Sequence, residues 1–389
     1  MNILYLSPYV PSIHANHAGG VCMGKQLEEL RKQHNVYVLS FINDEREQEL
    51  VDKEFNNGEC RFVKSSFFSK IGNILLNLNF PFYFSIRKSR KFKNELLDII
   101  QKKKIDAIHA EYTSMGQYYW IKQLYPNIQF DIVEHDVTKQ SYDRQVDESK
   151  GLKRLFNIWQ RNLVVKCERE FCSHADVIFT FNNKDVNLLK DSYGFTNIKE
   201  IVPYYGVDFQ KKYSYLPNAK SICFVGQMGR PENNEAALRL IELRNKMGRN
   251  DIRLNIIGAH PSKELIEKES SNIHITGFVE NIEDEIVKNS LAVFPLKSGA
   301  GIKLKVLLAC GLGIPVITTS VGAEGIDENG DFLQLAETDE QLLQLIKNLI
   351  DNEEELTKLS DTSKKFVKDK FDWNKTKVVF DEVYSKESN

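Results

Sequence analysis

Two glycines, Gly299 and Gly301, stand just ahead of Lys303 and Lys305 in PLKSGAGIKLKVLLACGLGIPV (residues 295–316), and an apolar helical run follows. A glycine turn lets backbone N–H groups come close to an anion, and a helix beginning there adds the positive end of its dipole. Lysine in a first helical turn is unfavourable unless it meets negative charge, so Lys303 and Lys305, with Ile302 beside them, are expected to line a phosphate site. Titratable groups also stand where strands should end: Glu111 after IDAIHA (105–110) and His135 in VEHD (133–136). A histidine there suits a cleft residue near a reacting group, and a carboxylate suits orienting or deprotonating a hydroxyl. A glycine pair, Gly19 and Gly20, follows the first strand.

The elements that must carry these residues repeat in a regular rhythm. NILYLSP (2–8) is a buried strand ending in proline, GKQLEELRKQH (24–34) is helical, and VYVLSFI (36–42) is a second buried strand. Strands follow at 105–113, 130–136, 175–182 and 198–208, with helices across 150–173 and 183–193. After the polar stretch 209–219 the rhythm restarts: strands at 221–228, 252–258, 273–279, 291–296 and 315–319, and helices at 233–247, 262–269, 281–289 and 303–312. Two runs of alternating strands and helices predict an α/β protein of two doubly wound, Rossmann-like domains facing a central cleft. Ligands in such sheets bind at the carboxyl ends of the strands. A chain of 389 residues fits two domains.

Composition bounds the rest. A net charge of −2 excludes a general nucleic-acid binder, and no GxGxxG follows the first strand to mark a dinucleotide oxidoreductase. The six cysteines are scattered without a CxxC pair, which points to a reducing compartment and away from zinc or a disulfide frame. MNILYLSPYVPS reads as a first strand and not as a signal peptide.

The order FVGQM, LNIIG, IHITGFVENI, LAVFPLKSGAGIKLKVLLACGLGIPVITTSVGAEGI and FVKDKFDWNK, preceded by IDAIHAEYT, IVEHDV and YYGVD, resembles the retaining glycosyltransferases of family 4, which have the GT-B fold. The resemblance spans nearly the whole chain. It implies transfer of a sugar from a UDP- or GDP-sugar to a glycan acceptor with retention, without a metal or other cofactor. It also implies an acceptor-binding domain at 1–208, a nucleotide-sugar-binding domain at 209–372, and a terminal helix at 373–389 packing back on the first. His135 and Glu111 become the catalytic candidates; Gly19, Gly20, Arg230, Gly299, Gly301, Ile302, Lys303, Lys305 and Glu324 become the donor contacts. Four positions depart from the family pattern. The two glutamates common in this family fall at Ala300 and Leu308, and its diphosphate-binding arginine and lysine fall at Gln227 and Glu232. Lys303, Lys305 and Arg230 are the replacement cations, and Glu324, placed to hold a ribose or sugar hydroxyl, is the replacement for the lost ribose-binding glutamate. If replacement fails, the alternative is a catalytically silent relative that partners an active transferase.

From Cys60 to Asn94 there is no acidic residue, while eight lysines and arginines flank FFSKIGNILLNLNFPFYFSI (67–86). A basic, aromatic segment of this kind predicts contact with an anionic membrane surface through 61–93, matching a lipid-linked acceptor in surface-polysaccharide or glycoconjugate assembly on the cytoplasmic face. The alternative is that the aliphatic side chains form a buried helix pair and only the lysines face water.

Overall fold

The computed structural model describes residues 1–55, 58–299 and 301–385. The chain forms two compact units: Met1–Pro203 joined by the segment beginning at Trp373, and Tyr204–Asp372. The first unit ends ahead of the 209–219 stretch, to which the composition assigns the boundary.

In the first unit seven parallel strands lie in the order β3-β2-β1-β4-β5-β6-β7. They are β1 (Asn2–Ser7), β2 (Asn35–Ile42), β3 (Cys60–Lys64), β4 (Ala107–Glu111), β5 (Gln129–Glu134), β6 (Val177–Thr180) and β7 (Ile198–Glu200). The apolar run of β1 is explained by its central place, since Ile3, Leu4, Tyr5 and Leu6 are all fully enclosed. In the second unit six parallel strands lie in the order β10-β9-β8-β11-β12-β13. These are β8 (Ser221–Val225), β9 (Arg253–Ile257), β10 (Ile273–Gly277), β11 (Leu291–Phe294), β12 (Val316–Thr318) and β13 (Gln334–Leu335).

Several elements differ from the sequence reading. The strand expected at 198–208 stops at Glu200, because Pro203 offers no N–H to a ladder and Gly206 turns the chain at φ 94°. The helices expected at 262–269 and 281–289 shorten to Lys263–Ile266 and Ile282–Ile286. β3 and β13, at sheet edges, carry too little apolar signal to be read.

The helix Asn374–Val383 and the residues after it belong to the first unit. Phe380 and Tyr384 are buried there, and Thr376 bridges the backbone of Val202 through its hydroxyl in both directions at 2.8 Å.

Candidate functional site

In each sheet the strand order reverses at one place, and a doubly wound sheet opens its ligand crevice there. In the first unit that place lies between β1 and β4, in the second between β8 and β11. Most of the residues singled out from the sequence gather at these two places.

In the second unit Gly299 (φ 122°) and Gly301 (φ 64°) hold the turn after β11 in conformations that side chains resist. The turn delivers Lys303 to the start of the helix Leu304–Gly311. Lys303 Nζ donates to the carbonyl of Gly301 at 2.5 Å and lies 3.6 Å from Glu324 Oε2. Glu324 is therefore engaged by Lys303 in this state, and Ile302 is buried beside it. Lys305 follows in the first turn of the same helix. Its ammonium donates to the neutral side-chain oxygen of Asn233 and stands 5.2 Å from the centre of the Phe224 ring. Asn233 in turn donates to the carbonyl of Gln227 at 2.9 Å, in the turn after β8. Arg230 caps the helix Pro231–Lys246 from an exposed position, 3.9 Å from Glu232. Burial pushes the Lys305 ammonium down to about 7; Glu232 opposes that shift, while Lys303 and Arg230 reinforce it by like-charge repulsion. Three cations thus sense one another around a glycine turn, and Lys305 is hydrogen-bonded to an uncharged partner. Leu308 is buried, packing toward Gly206, and Ala300 lies outside the described residues.

In the first unit Glu111 and His135 meet. Glu111 is fully enclosed, and its carboxylate accepts from Tyr5 Oη, from His109 Nε2 at 3.3 Å and from His135 Nε2 at 2.6 Å. Burial alone would raise its pKa, but hydrogen bonds and charge from His109 and His135 win and hold it at about 2. An enclosed, weakly basic carboxylate with three donors is not placed to deprotonate a substrate. This corrects the direct role expected of Glu111: it orients His135, whose edge remains open to solvent at 9% of its side-chain surface.

The ring of His135 lies flat against Tyr112, with centroids 3.7 Å apart and planes 8° apart, and meets Phe181 edge-on. Tyr112 holds φ 65°, a region a bulky aromatic residue adopts only when its surroundings impose it. Gly19 and Gly20 are not in a loop, as the sequence suggested, but in the first turn of the helix Ala18–Arg31, capped by His17 Nδ1 accepting from Gly20 N at 3.0 Å. Neither needs positive φ. What they supply is space: a Cβ on Gly19 would stand 2.2 Å from Tyr112 Oη, and one on Gly20 would stand 2.5 Å from Ala15. Sequence reasoning missed Tyr112 and Asn233, whose roles come from neighbours distant in the chain. Gly19→Ala is expected to push Tyr112 off His135 and to lower unfolding stability by about 1–3 kcal/mol, checked by urea denaturation.

The basic segment adjoins this site. Its helix, Phe67–Leu76, buries no residue; Phe68 and Leu76 are each 84% exposed, with Phe67, Leu75 and Leu78 also largely open. The buried helix-pair alternative therefore does not hold for this helix. Lys70 and Arg87 both donate to Asn43 Oδ1, at 3.2 and 2.6 Å. The Arg87 guanidinium covers Tyr9, whose ring meets Tyr112 edge-on, so side-chain contacts run from the exposed helix to His135. On the neighbouring helix Gly151–Ser173, Leu152, Leu155, Phe156 and Trp159 are exposed, and Phe82 packs against the last two. Among the described residues no helix is long and apolar enough to cross a membrane.

Comparison with known proteins places this geometry. Residues 219–352 match the family described as Glycosyl transferases group 1. No curated protein sequence matches the chain. Among solved structures, HepE of Anabaena in complex with UDP and glucose superposes with a TM-score of 0.70 at 13% identity, covering 98% of this chain and 99% of that one. Sucrose-phosphate synthase from Thermosynechococcus elongatus gives 0.69 at 13%, over 99% and 98%. A mutant of S. aureus TarM bound to fondaparinux, alpha-GlcNAc-glycerol and UDP gives 0.67 at 10%, over 99% and 100%. At these identities the likeness establishes the fold: the chain has the two Rossmann-like domains of GT-B.

Proposed function

We propose that this chain is a retaining glycosyltransferase of family 4, moving a sugar from a UDP- or GDP-sugar to a glycan acceptor. The observation that carries the reading is the cation cluster at the strand-order reversal of the second unit. There Lys305 is buried against a neutral partner, with Lys303 and Arg230 within electrostatic reach. An ammonium disfavoured by burial and by two neighbouring cations, and hydrogen-bonded to a neutral amide, gains once a diphosphate supplies counter-charge. The match over 219–352, and the UDP held by HepE and TarM, support the same assignment. In this reading residues 204–372 bind the donor, with Gly299, Gly301 and Ile302 shaping the diphosphate turn. Glu324 is released from Lys303 to take a hydroxyl when phosphate arrives. Arg230 completes the charge from the rim.

The remainder of the first unit binds the acceptor. The bond between the anomeric carbon and the diphosphate oxygen breaks as the acceptor hydroxyl attacks from the same face, and the hydroxyl proton passes to the departing phosphate oxygen. Catalysis then rests on positioning the two substrates and on stabilising the charge of the leaving group, for which the three cations suffice without a metal or other cofactor. His135, fixed by Glu111 and flanked by Tyr112, lines the transferring sugar.

Calorimetric titration with UDP, GDP and their sugar conjugates tests the reading. Binding of one nucleotide, lost in a Lys303→Ala, Lys305→Ala double variant, is the expected result. A folded chain that binds none of them is instead a silent relative.

The acceptor in this reading is lipid-linked and reached from an anionic membrane on its cytoplasmic face, within surface-polysaccharide or glycoconjugate assembly. Supporting it are the open apolar helix Phe67–Leu76, the basic residues of 61–93 around it, and the side-chain contacts leading from that helix to His135. The chain is expected to float with vesicles rich in phosphatidylglycerol and not with phosphatidylcholine alone. Phe68→Ser with Leu76→Ser should lower that partition by about tenfold or more, each side chain contributing about 1.5–3 kcal/mol when buried. Equal flotation of both proteins, or of both vesicle types, would refute this part.

A further inference from the structure

His109 lies in the middle of β4, fully enclosed among aromatic rings: Tyr5 stacks on it at 4.9 Å, and Phe380 and Phe179 close the pocket at 5.7 and 5.9 Å. An apolar residue would fill such a space without a polar atom to satisfy. Both of its ring nitrogens are engaged. Nδ1 lies 2.7 Å from Tyr384 Oη, and Nε2 lies 3.3 Å from Glu111 Oε1. The other oxygen of Glu111 meets His135 Nε2 at 2.6 Å. At its far end Tyr384 also hydrogen-bonds Asp131, likewise fully enclosed. One unbroken polar chain therefore runs from Asp131 through Tyr384, His109 and Glu111 to His135.

Hydrogen-bonding rules set its direction. An ionised carboxylate only accepts, so both histidines must present Nε2–H to Glu111. In the tautomer that carries its proton at Nε2, His109 presents a lone pair at Nδ1, and Tyr384 is the donor to it. Tyr384 Oη can then accept from Asp131 in the protonated form of that carboxyl group, which burial pushes up to about 7. Every proton is consistent with a single orientation, which leaves Nδ1 of His135 as the unprotonated nitrogen.

We propose that Tyr384 and His109 are positioning residues for His135: by holding Glu111 from behind, they fix which nitrogen of His135 carries the proton. The functional meaning of that orientation rests on the role given to His135 above; the orientation itself does not. Fixing a tautomer through a second partner is a recurrent means of tuning a histidine, and members of a buried polar chain support one another cooperatively.

The test is nitrogen NMR of the full chain labelled at histidine, beside Tyr384→Phe and His109→Gln. In the unsubstituted protein both rings should report protonated Nε2, with Nδ1 of His109 shifted as a hydrogen-bond acceptor. In Tyr384→Phe that acceptor shift should vanish and His135 should become a mixture of tautomers. Turnover should drop by about tenfold with KM for both substrates unchanged, as expected of a positioning residue. A spectrum with His109 protonated at Nδ1 in the unsubstituted protein overturns the proposal, even if a variant fails to fold. So does an unchanged His135 in a folded Tyr384→Phe or His109→Gln protein. The nitrogen shifts need no turnover, so an inactive but correctly protonated chain refutes the transferase reading and leaves this one standing.

Discussion

Lys305→Met is expected to weaken UDP binding by about 10- to 150-fold, the span corresponding to loss of one charge-assisted contact of about 1.5–3 kcal/mol. Methionine keeps the aliphatic reach over Phe224 and removes only the charge and its hydrogen bond to Asn233. The same residue gives binding a pH signature whose sign can be worked out. Burial and two neighbouring cations hold the free ammonium at about 7, whereas a bound diphosphate stabilises the charged form and raises that value. Above pH 7 the protein must therefore take up a proton on binding, and affinity should fall as pH rises toward 9, by up to about tenfold per unit. Calorimetry in buffers of different ionisation enthalpy reads the proton uptake directly. Uptake that persists in Lys305→Met would assign it elsewhere. Lys303→Ala should do less harm to nucleotide binding, since Lys303 already has Glu324 beside it.

The larger kinetic effect belongs to Glu111→Gln. Glutamine keeps the shape of the side chain, but its amide presents a donor where His135 Nε2–H now donates. The imidazole must then turn or shift its proton to Nδ1, leaving the wrong nitrogen toward the substrate. Where a buried carboxylate fixes a catalytic histidine elsewhere, such an amide exchange lowers kcat by about 10⁴. Here, without a full proton transfer assigned to His135, the expected fall is about 10²- to 10⁴-fold in kcat, with KM for the donor unchanged on the proposal that residues 204–372 hold it. Steady-state rates across donor concentrations check this, and a variant of near-normal kcat would remove His135 from the chemistry. Acid should separately weaken the fold through Glu111. Its folded pKa of about 2 lies below the ordinary 4.5, so the stability it contributes is present above pH 4.5 and is lost as pH falls toward 2.

Much of this arrangement was readable before any coordinates, because parallel sheets make strand ends conspicuous. The central strands are apolar on both faces, and a polar residue straight after one marks the carboxyl edge of the sheet. That is how His135, Lys303 and Lys305 announced themselves. Gly19 and Gly20 stood out as a pair after the first strand, but the local reason is not in the sequence: Gly19 leaves room for Tyr112 and Gly20 for Ala15, with φ angles ordinary for a helix. Other features depended on long-range approach. Tyr384 reaches His109 across 275 positions of sequence, and Asn233 meets Lys305 across 72. Neither pairing leaves a local pattern. The edge strands β3 and β13 escaped for a related reason: at a sheet margin, pairing with one neighbour is enough, and the apolar signature fades.

Placing Tyr384 so late in the chain also has a consequence during synthesis. The strands that carry His109, Glu111 and His135 leave the ribosome long before residue 384 does, and until that tyrosine arrives the Nδ1 of His109 lacks its donor. A nascent chain can therefore assemble most of its first sheet while its key histidine is still unfixed, so on this proposal competence is conferred only after residue 384 has been added.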